Sequence, residues 1–242
     1  MKINVWDFGL IRRYWHANPA RAGASFSSTV ERWAQESDCT VIALDSRGRT
    51  WRHSLFPEYK ANRPELTESD KASLAHQQQI AIERLVAQGI RIRSAEGYEA
   101  DDVIATVARQ AIEAGHHVLV FSGDKDLAQL LPTGIGLHDA RVYVSAADVE
   151  AKFGVKVEQL VDYFAIAGDR DDNVKGAPGL GPAAARKILS AHPSVRIAIE
   201  TGRRRVWDKL LAKLVEHEQE VLLALRLVRL DADAPVVKGT GL

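Results

Sequence analysis

The 242 residues carry 32 Lys and Arg against 32 Asp and Glu, with 46% hydrophobic and 26% charged residues, enough apolar content for one α/β core with at most a small appendage and too much for overall disorder. One cysteine, Cys39, excludes an internal disulfide and a cysteine-based metal cluster. The absence of an apolar run of about 18 residues, and an opening MKINVWDFG without an apolar leader segment, point away from a membrane and toward the cytoplasm.

In chain order, Ile3 to Trp6 forms a brief apolar strand that runs into Asp7. Ser28 to Gln35 is predicted helical, and Thr40 to Leu44 is a β-branched run ending at Asp45. Tyr59 to Ser73 has few large apolar residues and predicts a mobile loop or partly helical bridge. His76 to Gln88 has apolar residues at helical spacing, stopped by Gly89; Ile90 to Arg93 is a short strand. Ala100 to Ala114 repeats Val103, Ile104, Val107, Ala108 and Ala111 on one helical face, and His117 to Phe121 is a buried strand followed by Asp124. This β-α-β-α-β order predicts an α/β fold, a mostly parallel central sheet flanked by helices.

The second half changes character. Ser145 to Phe153 and Val157 to Ala167 predict helices, followed by a glycine-rich turn into another. Arg196 to Leu230 reads as helical and locally basic, and the residues from Ala232 as a loose end. The expected organisation is a core over 1–145 with a short arch over about 59–76, a helical lobe over 146–231 and a tail over 232–242.

Ligand sites in such sheets lie beyond the C-terminal strand ends. Three strands end in or just before an acid, namely Asp7, Asp45 and Asp124, and a fourth leads to Glu99. Asp101 and Asp102 follow Glu99, Asp126 follows Asp124, and Asp169, Asp171 and Asp172 sit in GDRDDN. Each string alone has a plainer explanation as a helix cap or polar turn. Together they would repel one another strongly without cations, and hard divalent ions prefer such oxygen ligands. Two ions about 4 Å apart can clamp a phosphodiester, activate water and stabilise the leaving oxygen. His53, His76, His116, His117 and His138 show no zinc-like spacing.

The basic residues are segregated from the acids. Lys60 and Arg63, with Arg52 upstream, read either as a solvated charge run or as electrophiles at a phosphate. Tyr59 is a candidate to stack on a nucleobase. Lys175 to Gly181 (KGAPGLG) looks like a hairpin between two helices, with Pro182 at a helix start; its backbone N–H groups suit a DNA phosphate. It lacks the P-loop pattern. Arg196, Arg203, Arg204, Arg205, Lys209 and Lys213 face only Glu200 and Asp208 in the same run, a candidate duplex-binding surface or a solvated helix face.

The strings ALDSRGRTWRHSLFPEYKANR, GYEADDVIATVA, FSGDKDLAQLL and AIAGDRDDNVKGAPGLGPAAARKIL stand in the order found in the bacterial and phage 5′-3′ exonuclease family, and the chain resembles that family from about residue 3 to about residue 230. The family includes the 5′-nuclease domain of DNA polymerase I and the flap endonucleases, and the opening DFGLIRRYWHA is most similar to small standalone Xni-like members. The resemblance implies a PIN-like nuclease core and a helix–three-turn–helix motif over about 160–190. It implies Asp7, Asp45, Glu99 and Asp101 at a first Mg²⁺, Asp124, Asp126 and Asp172 at a second, and Asp169 and Asp102 in support, with Mn²⁺ able to substitute. It assigns Lys60 and Arg63 to catalysis, Tyr59 to the displaced base, and Lys175, Gly176, Gly179 and Gly181 to DNA, with K⁺ on the turn's carbonyls. Arg52, Arg186, Lys187, Arg204 and Arg205 are the accompanying DNA-binding candidates. The chain departs from the family at Phe8, where a glycine is usual, and at Ala183, where several members have lysine. The segment between Arg63 and His76 is short for an arch.

The implied activity is two-metal hydrolysis of DNA at a 5′ flap, nick or 5′ end, with a replicative or repair polymerase as partner. Two alternatives stay open at this point: a PIN-like RNase or other metal-dependent phosphoesterase, and a non-catalytic junction-binding protein.

Overall fold

The apolar runs that end in acids become neighbouring strands. The computed structural model describes residues 1–205 and 207–238. In chain order its elements are β1 (Lys2–Asp7), α1 (Ile11–Ala17), α2 (Ala22–Ala34), β2 (Cys39–Ala43), α3 (Trp51–Leu55), α4 (Glu68–Ala87), β3 (Arg91–Ser94), α5 (Ala100–Glu113), β4 (His117–Phe121), β5 (Gly136–His138), β6 (Tyr143–Val144), α6 (Ala146–Phe153), α7 (Leu160–Ala167), α8 (Pro182–Ala191), α9 (Val195–Arg204), α10 (Lys209–Glu216), α11 (Glu218–Val228) and β7 (Val237–Lys238). Two compact units emerge. A sheet unit comprises Met1–Thr50, Pro64–Val144 and Leu230–Leu242, and a helical unit comprises Trp51–Arg63 and Ser145–Arg229. Trp51–Arg63 therefore groups with the helices, where the core was expected to run unbroken over 1–145. No helix among the described residues is long and apolar enough to cross a membrane.

In the sheet unit the strands lie in the order β6-β5-β4-β1-β2-β3-β7. The five inner strands pair in parallel, and β6 and β7 add antiparallel edges. β1 is paired on both sides, with Trp6 opposite Ile42 of β2 and Phe121 of β4. Its side chains serve both faces, as expected of a central parallel strand. Trp6 is fully buried and stacks on Phe121 with ring centroids 4.0 Å apart, and Phe26 of α2 meets it edge-on at 6.1 Å. Ile11, Val30, Leu74 and Leu85 from α1, α2 and α4 complete this layer. Val5 points to the opposite face, and α5 packs on β1 and β4 with Val103, Ile104 and Ala108 buried. Each large side chain so buried contributes about 1.5–3 kcal/mol.

Several boundaries differ from the pattern-based expectation. α1 was not anticipated. α2 starts at Ala22 rather than Ser28, because Gly23 lets it approach α4: the Gly23 N–H donates to Gln77 Oε1 at 2.9 Å. α4 starts at Glu68, inside the stretch expected to be a mobile loop or a partly helical bridge, so the helical alternative holds for its second part. Thr67 caps it by accepting from the Asp70 N–H, and Glu68 and Asp70 complement the helix dipole. The sparse apolar residues there, Leu66 and Leu74, fall on the core side. The expected loose tail is tied down as far as Lys238. The Asp231 N–H donates to Asp102 Oδ1 at 2.9 Å, the Ala234 N–H to Thr106 Oγ1 at 3.0 Å, and β7 pairs with β3.

In the helical unit, the stretch expected to be helical and locally basic forms three helices, α9, α10 and α11. Asp208 restarts the chain by accepting from the Leu210 and Leu211 N–H groups. α7 and α8 flank the glycine-rich turn. Gly176, at φ +62°, packs so closely that a β-carbon there would lie 2.6 Å from the Ile166 carbonyl oxygen. Arg52 of α3 is 2% exposed. Its Nε donates to the Leu227 carbonyl at 2.8 Å and its Nη2 to the Arg229 carbonyl at 3.0 Å, placing a cation on the C-terminal end of α11. Arg52→Ala should therefore destabilise the protein by about 3 kcal/mol, since it removes charge-assisted bonds and strands buried carbonyls. A thermal melt unchanged by this substitution would show that the cap is dispensable.

Candidate metal centre

Because β1 is aligned with β2 and β4, the acids that follow these strands converge at one sheet edge. Asp7 Oδ2 accepts from Ser122 Oγ at 2.7 Å, and its Oδ1 from the Gly9 N–H at 2.7 Å. Even so, its pKa is raised to about 6, chiefly by burial, with the charges of Asp45 and Asp124 adding to the rise. Asp45 Oδ1 accepts from the Ala100 N–H at 2.9 Å, which fixes it on the N-terminal turn of α5. Asp124 Oδ1 accepts from the Asp126 N–H at 2.9 Å, opening a 3-10 segment over Lys125–Thr133. Asp126 is 8% exposed.

The EADD string at the start of α5 is divided between two roles. Glu99, the N-cap, is 8% exposed, and Asp101 lies in the first turn. Asp102 is fully buried. One of its oxygens accepts from the Glu99 N–H at 3.3 Å in a capping box, the other from the Asp231 N–H. Both oxygens thus accept from the backbone, so Asp102 caps α5 and ties it to the stretch after Leu230.

The helical unit holds its own acids differently. Asp169 forms a bridge with Val174, and one of its carboxylate oxygens accepts from the Asp171 N–H at 3.0 Å. Asp172 is 6% exposed. Tyr59 donates its hydroxyl to Asp172 Oδ2 at 2.8 Å, Arg63 Nη2 donates to Oδ1 at 2.6 Å, and Lys60 Nζ stands 3.7 Å from Oδ2. Burial alone would raise Asp172; Lys60, Arg63 and the Tyr59 hydroxyl outweigh it and hold the carboxyl below its ordinary range. Tyr59 is only 3% exposed, with His53 edge-on to its ring and the Lys60 ammonium over it. In this conformation it supports Asp172 and presents no open face to a base, a difference from the stacking role expected of it.

The DNA-binding candidates also separate. Arg52 is buried on α11 as described, so it is not placed to meet a ligand. Lys175, Arg186 and Lys187 are exposed, and the stem of Arg186 lies over Gly154. Gly179, at φ +73°, and Gly181, the N-cap of α8, are exposed in the turn, whereas Gly176 is buried. Arg203 is held by both oxygens of Glu218 at 2.7 Å. Arg204 and Arg205 are exposed and make no ion pair among the described residues.

Two family models match the chain: the 5′-3′ exonuclease N-terminal resolvase-like domain over residues 10–154, and the 5′-3′ exonuclease C-terminal SAM fold over residues 155–240. DNA polymerase I of Bacillus subtilis is 36% identical over 203 residues, covering 81% of this chain and 22% of the polymerase. Flap endonuclease Xni of Aeromonas hydrophila is 32% identical over 205 residues, covering 84% of this chain and 75% of that protein. The chain spans only 22–26% of the length of these polymerase relatives. Among solved structures, the bacteriophage T5 5′-exonuclease with bound zinc superposes with a TM-score of 0.83 at 25% identity, covering 96% of this chain and 90% of that one. The bacteriophage T5 flap endonuclease in a pseudo-enzyme-product complex with DNA and metal ions gives 0.79 at 26% identity, covering 96% and 89%.

The donor set at the sheet edge is carboxylate oxygen, which suits a hard divalent cation. Ser122, within FSGDKD, was not singled out by the sequence reading; only its position one residue before the Gly-Asp pair could have marked it. Its hydroxyl donates to Asp7 and accepts from the Asp124 N–H at 3.0 Å, joining two acids. Ser122→Ala should weaken Mn²⁺ binding by about 10- to 100-fold, as loss of a ligand's supporting bond commonly does. Calorimetric titration is the check, and an unchanged affinity would remove Ser122 from the centre.

Proposed function

Because this chain belongs to the 5′-3′ exonuclease family, we propose that it is a divalent-metal-dependent 5′-nuclease that hydrolyses DNA at junctions between single strand and duplex. The observation that carries this reading is the convergence of Asp7, Asp45 and Asp124 on one sheet edge, with Asp7 raised to about 6 by burial and by its acidic neighbours.

On the family pattern, Asp7, Asp45, Glu99 and Asp101 hold one Mg²⁺, and Asp124, Asp126 and Asp172 a second, with Asp169 in support. Mn²⁺ replaces Mg²⁺. When bound, such ions supply Lewis acidity and neutralise charge at the reacting phosphate. The chain's own groups orient these acids: Ser122 and the Gly9 N–H aim Asp7, and the first turn of α5 aims Asp45. Lys60 and Arg63 neutralise charge developing on the phosphate. In the free protein that positive charge rests on Asp172, so a bound phosphate and Asp172 compete for it.

Lys175, Gly179, Gly181, Arg186, Lys187, Arg204 and Arg205 form the duplex contact, which reads backbone rather than sequence, and the buried Gly176 shapes the turn that presents it. Arg204 and Arg205, exposed and without an ion pair among the described residues, and the glycine turn favour duplex DNA over a small phosphate ester. K⁺ on the turn's carbonyls and a separate polymerase as partner belong to the same reading. The flap endonuclease relative covered over 75% of its length supports an activity in a chain of this size.

A 5′-labelled flap, a nicked duplex and a hairpin RNA, assayed in Mg²⁺, test the proposal. Flap cleavage should be abolished by EDTA and reduced more than about 100-fold by Asp124→Ala. Tight flap binding with no cleavage in any divalent metal would leave only a junction-binding protein. Full activity in the Asp124 variant would sink the assigned site. Replacing Arg204 and Arg205 with alanine should raise KM more than it lowers kcat, and should flatten the salt dependence of binding. A pure kcat defect would remove them from the duplex contact.

A further inference from the structure

Gly179 has two reasons to be glycine. Its φ of +73° is one, and the side chain of Lys213 is the other. A β-carbon at 179 would overlap Lys213 Nζ and stand 2.9 Å from its Cε. α10 therefore lays an ammonium directly against the backbone of the glycine-rich turn, although 34 residues separate the two in sequence. Lys213 is partly buried, and its ammonium has no hydrogen-bond or ion-pair partner among the described residues. The turn cannot supply one from a side chain: residues 175–185 read KGAPGLGPAAA, without an acid, amide or hydroxyl. From Pro178 to Ala183 the exposed residues of the turn are Pro178, Gly179, Gly181, Pro182 and Ala183, all small or ring-closed, and Gly179 is the one Lys213 lies against. Such a surface lets a polyanion's backbone come close, and a half-desolvated, unpaired lysine is complementary to one phosphate.

We propose that Lys213 is a DNA-positioning residue that holds a single backbone phosphate of the duplex over Gly179. This rests on the nuclease reading above and deepens it. It gives the turn a cation from α10, where the turn's own sequence after Gly181 offers only Pro182 and three alanines. As a point charge on one phosphate it fixes where the duplex sits, and carries no base preference.

The 242-residue chain is titrated with a fluorescent 5′-flap duplex over a range of KCl concentrations. Lys213→Gln should lower the slope of log Kd against log salt by about 0.9, the contribution of one neutralised phosphate. Its KM should rise by a larger factor than its kcat falls. Lys213→Arg should restore the slope. Independently of any variant, a scan of single neutral methylphosphonates along the duplex should find one position that weakens wild-type binding and has no further effect on Lys213→Gln. A wild-type protein that binds and cleaves flaps, paired with a Lys213→Gln slope equal to its own, would overturn the assignment and leave the nuclease reading intact. A scan in which every methylphosphonate weakens wild type and Lys213→Gln alike would overturn it too. A wild type with no salt-dependent flap binding would instead bring down the broader reading, and this inference with it.

Discussion

The pairing of β1 with strands on both sides is the constraint on which the sheet unit depends. Trp6 faces Ile42 on one side and Phe121 on the other in register, and its stacking on Phe121 makes that register costly to change. A slip of one residue would move Trp6 to the face covered by α5 and Val5 into its place. The same register decides where β1, β2 and β4 stop, and therefore that Asp7, Asp45 and Asp124 feel one another. Aromatic packing in the core and carboxylate repulsion at the edge are two ends of one alignment. Folding tolerates the repulsion because the core contributes more than the edge loses.

The two units hold their acids by opposite means. At the sheet edge Asp7 has a serine hydroxyl and a backbone N–H but no cationic side chain among the partners that set its pKa, and the result is an acid pushed toward neutrality. In the helical unit Asp172 is surrounded by Lys60, Arg63 and Tyr59 and is kept ionised despite its burial. The first arrangement gains from an added cation. The second already contains its positive charge, and any added cation must contend with two that are covalently part of the chain.

How much of this was legible in the sequence depended on the range of the interaction that decides each residue. β1, β2 and β4 were visible because a buried parallel strand is a short apolar run, and the acids after them were visible as strand ends. Tyr59 to Ser73 was left open between a loop and a partly helical bridge, although Thr67 and Asp70 form a cap signal, because the stretch lacks apolar residues to set a period. Arg52 and Tyr59 were read as surface groups; their partners, Leu227, Arg229 and Asp172, are more than a hundred residues away, beyond any local pattern. The EADD string gave no sign that Asp102 would turn inward to an N–H from Asp231. Among the three consecutive arginines, only the position of Glu218 on α11 separates Arg203 from Arg204 and Arg205.

The stretch after Leu230 acts on the sheet edge from behind. Its Asp231 N–H holds Asp102, its Ala232 carbonyl and Asp233 carboxylate hold Arg109, and Thr106 receives its Ala234 N–H. All three anchor points lie along α5, the helix whose opening turn presents Glu99 and steadies Asp45. The segment is thus a strap buckled to the helix that aims the acids. A proteolytic nick within it, or a mechanical load applied to it, would be transmitted along α5 to the turn that presents Glu99 and steadies Asp45.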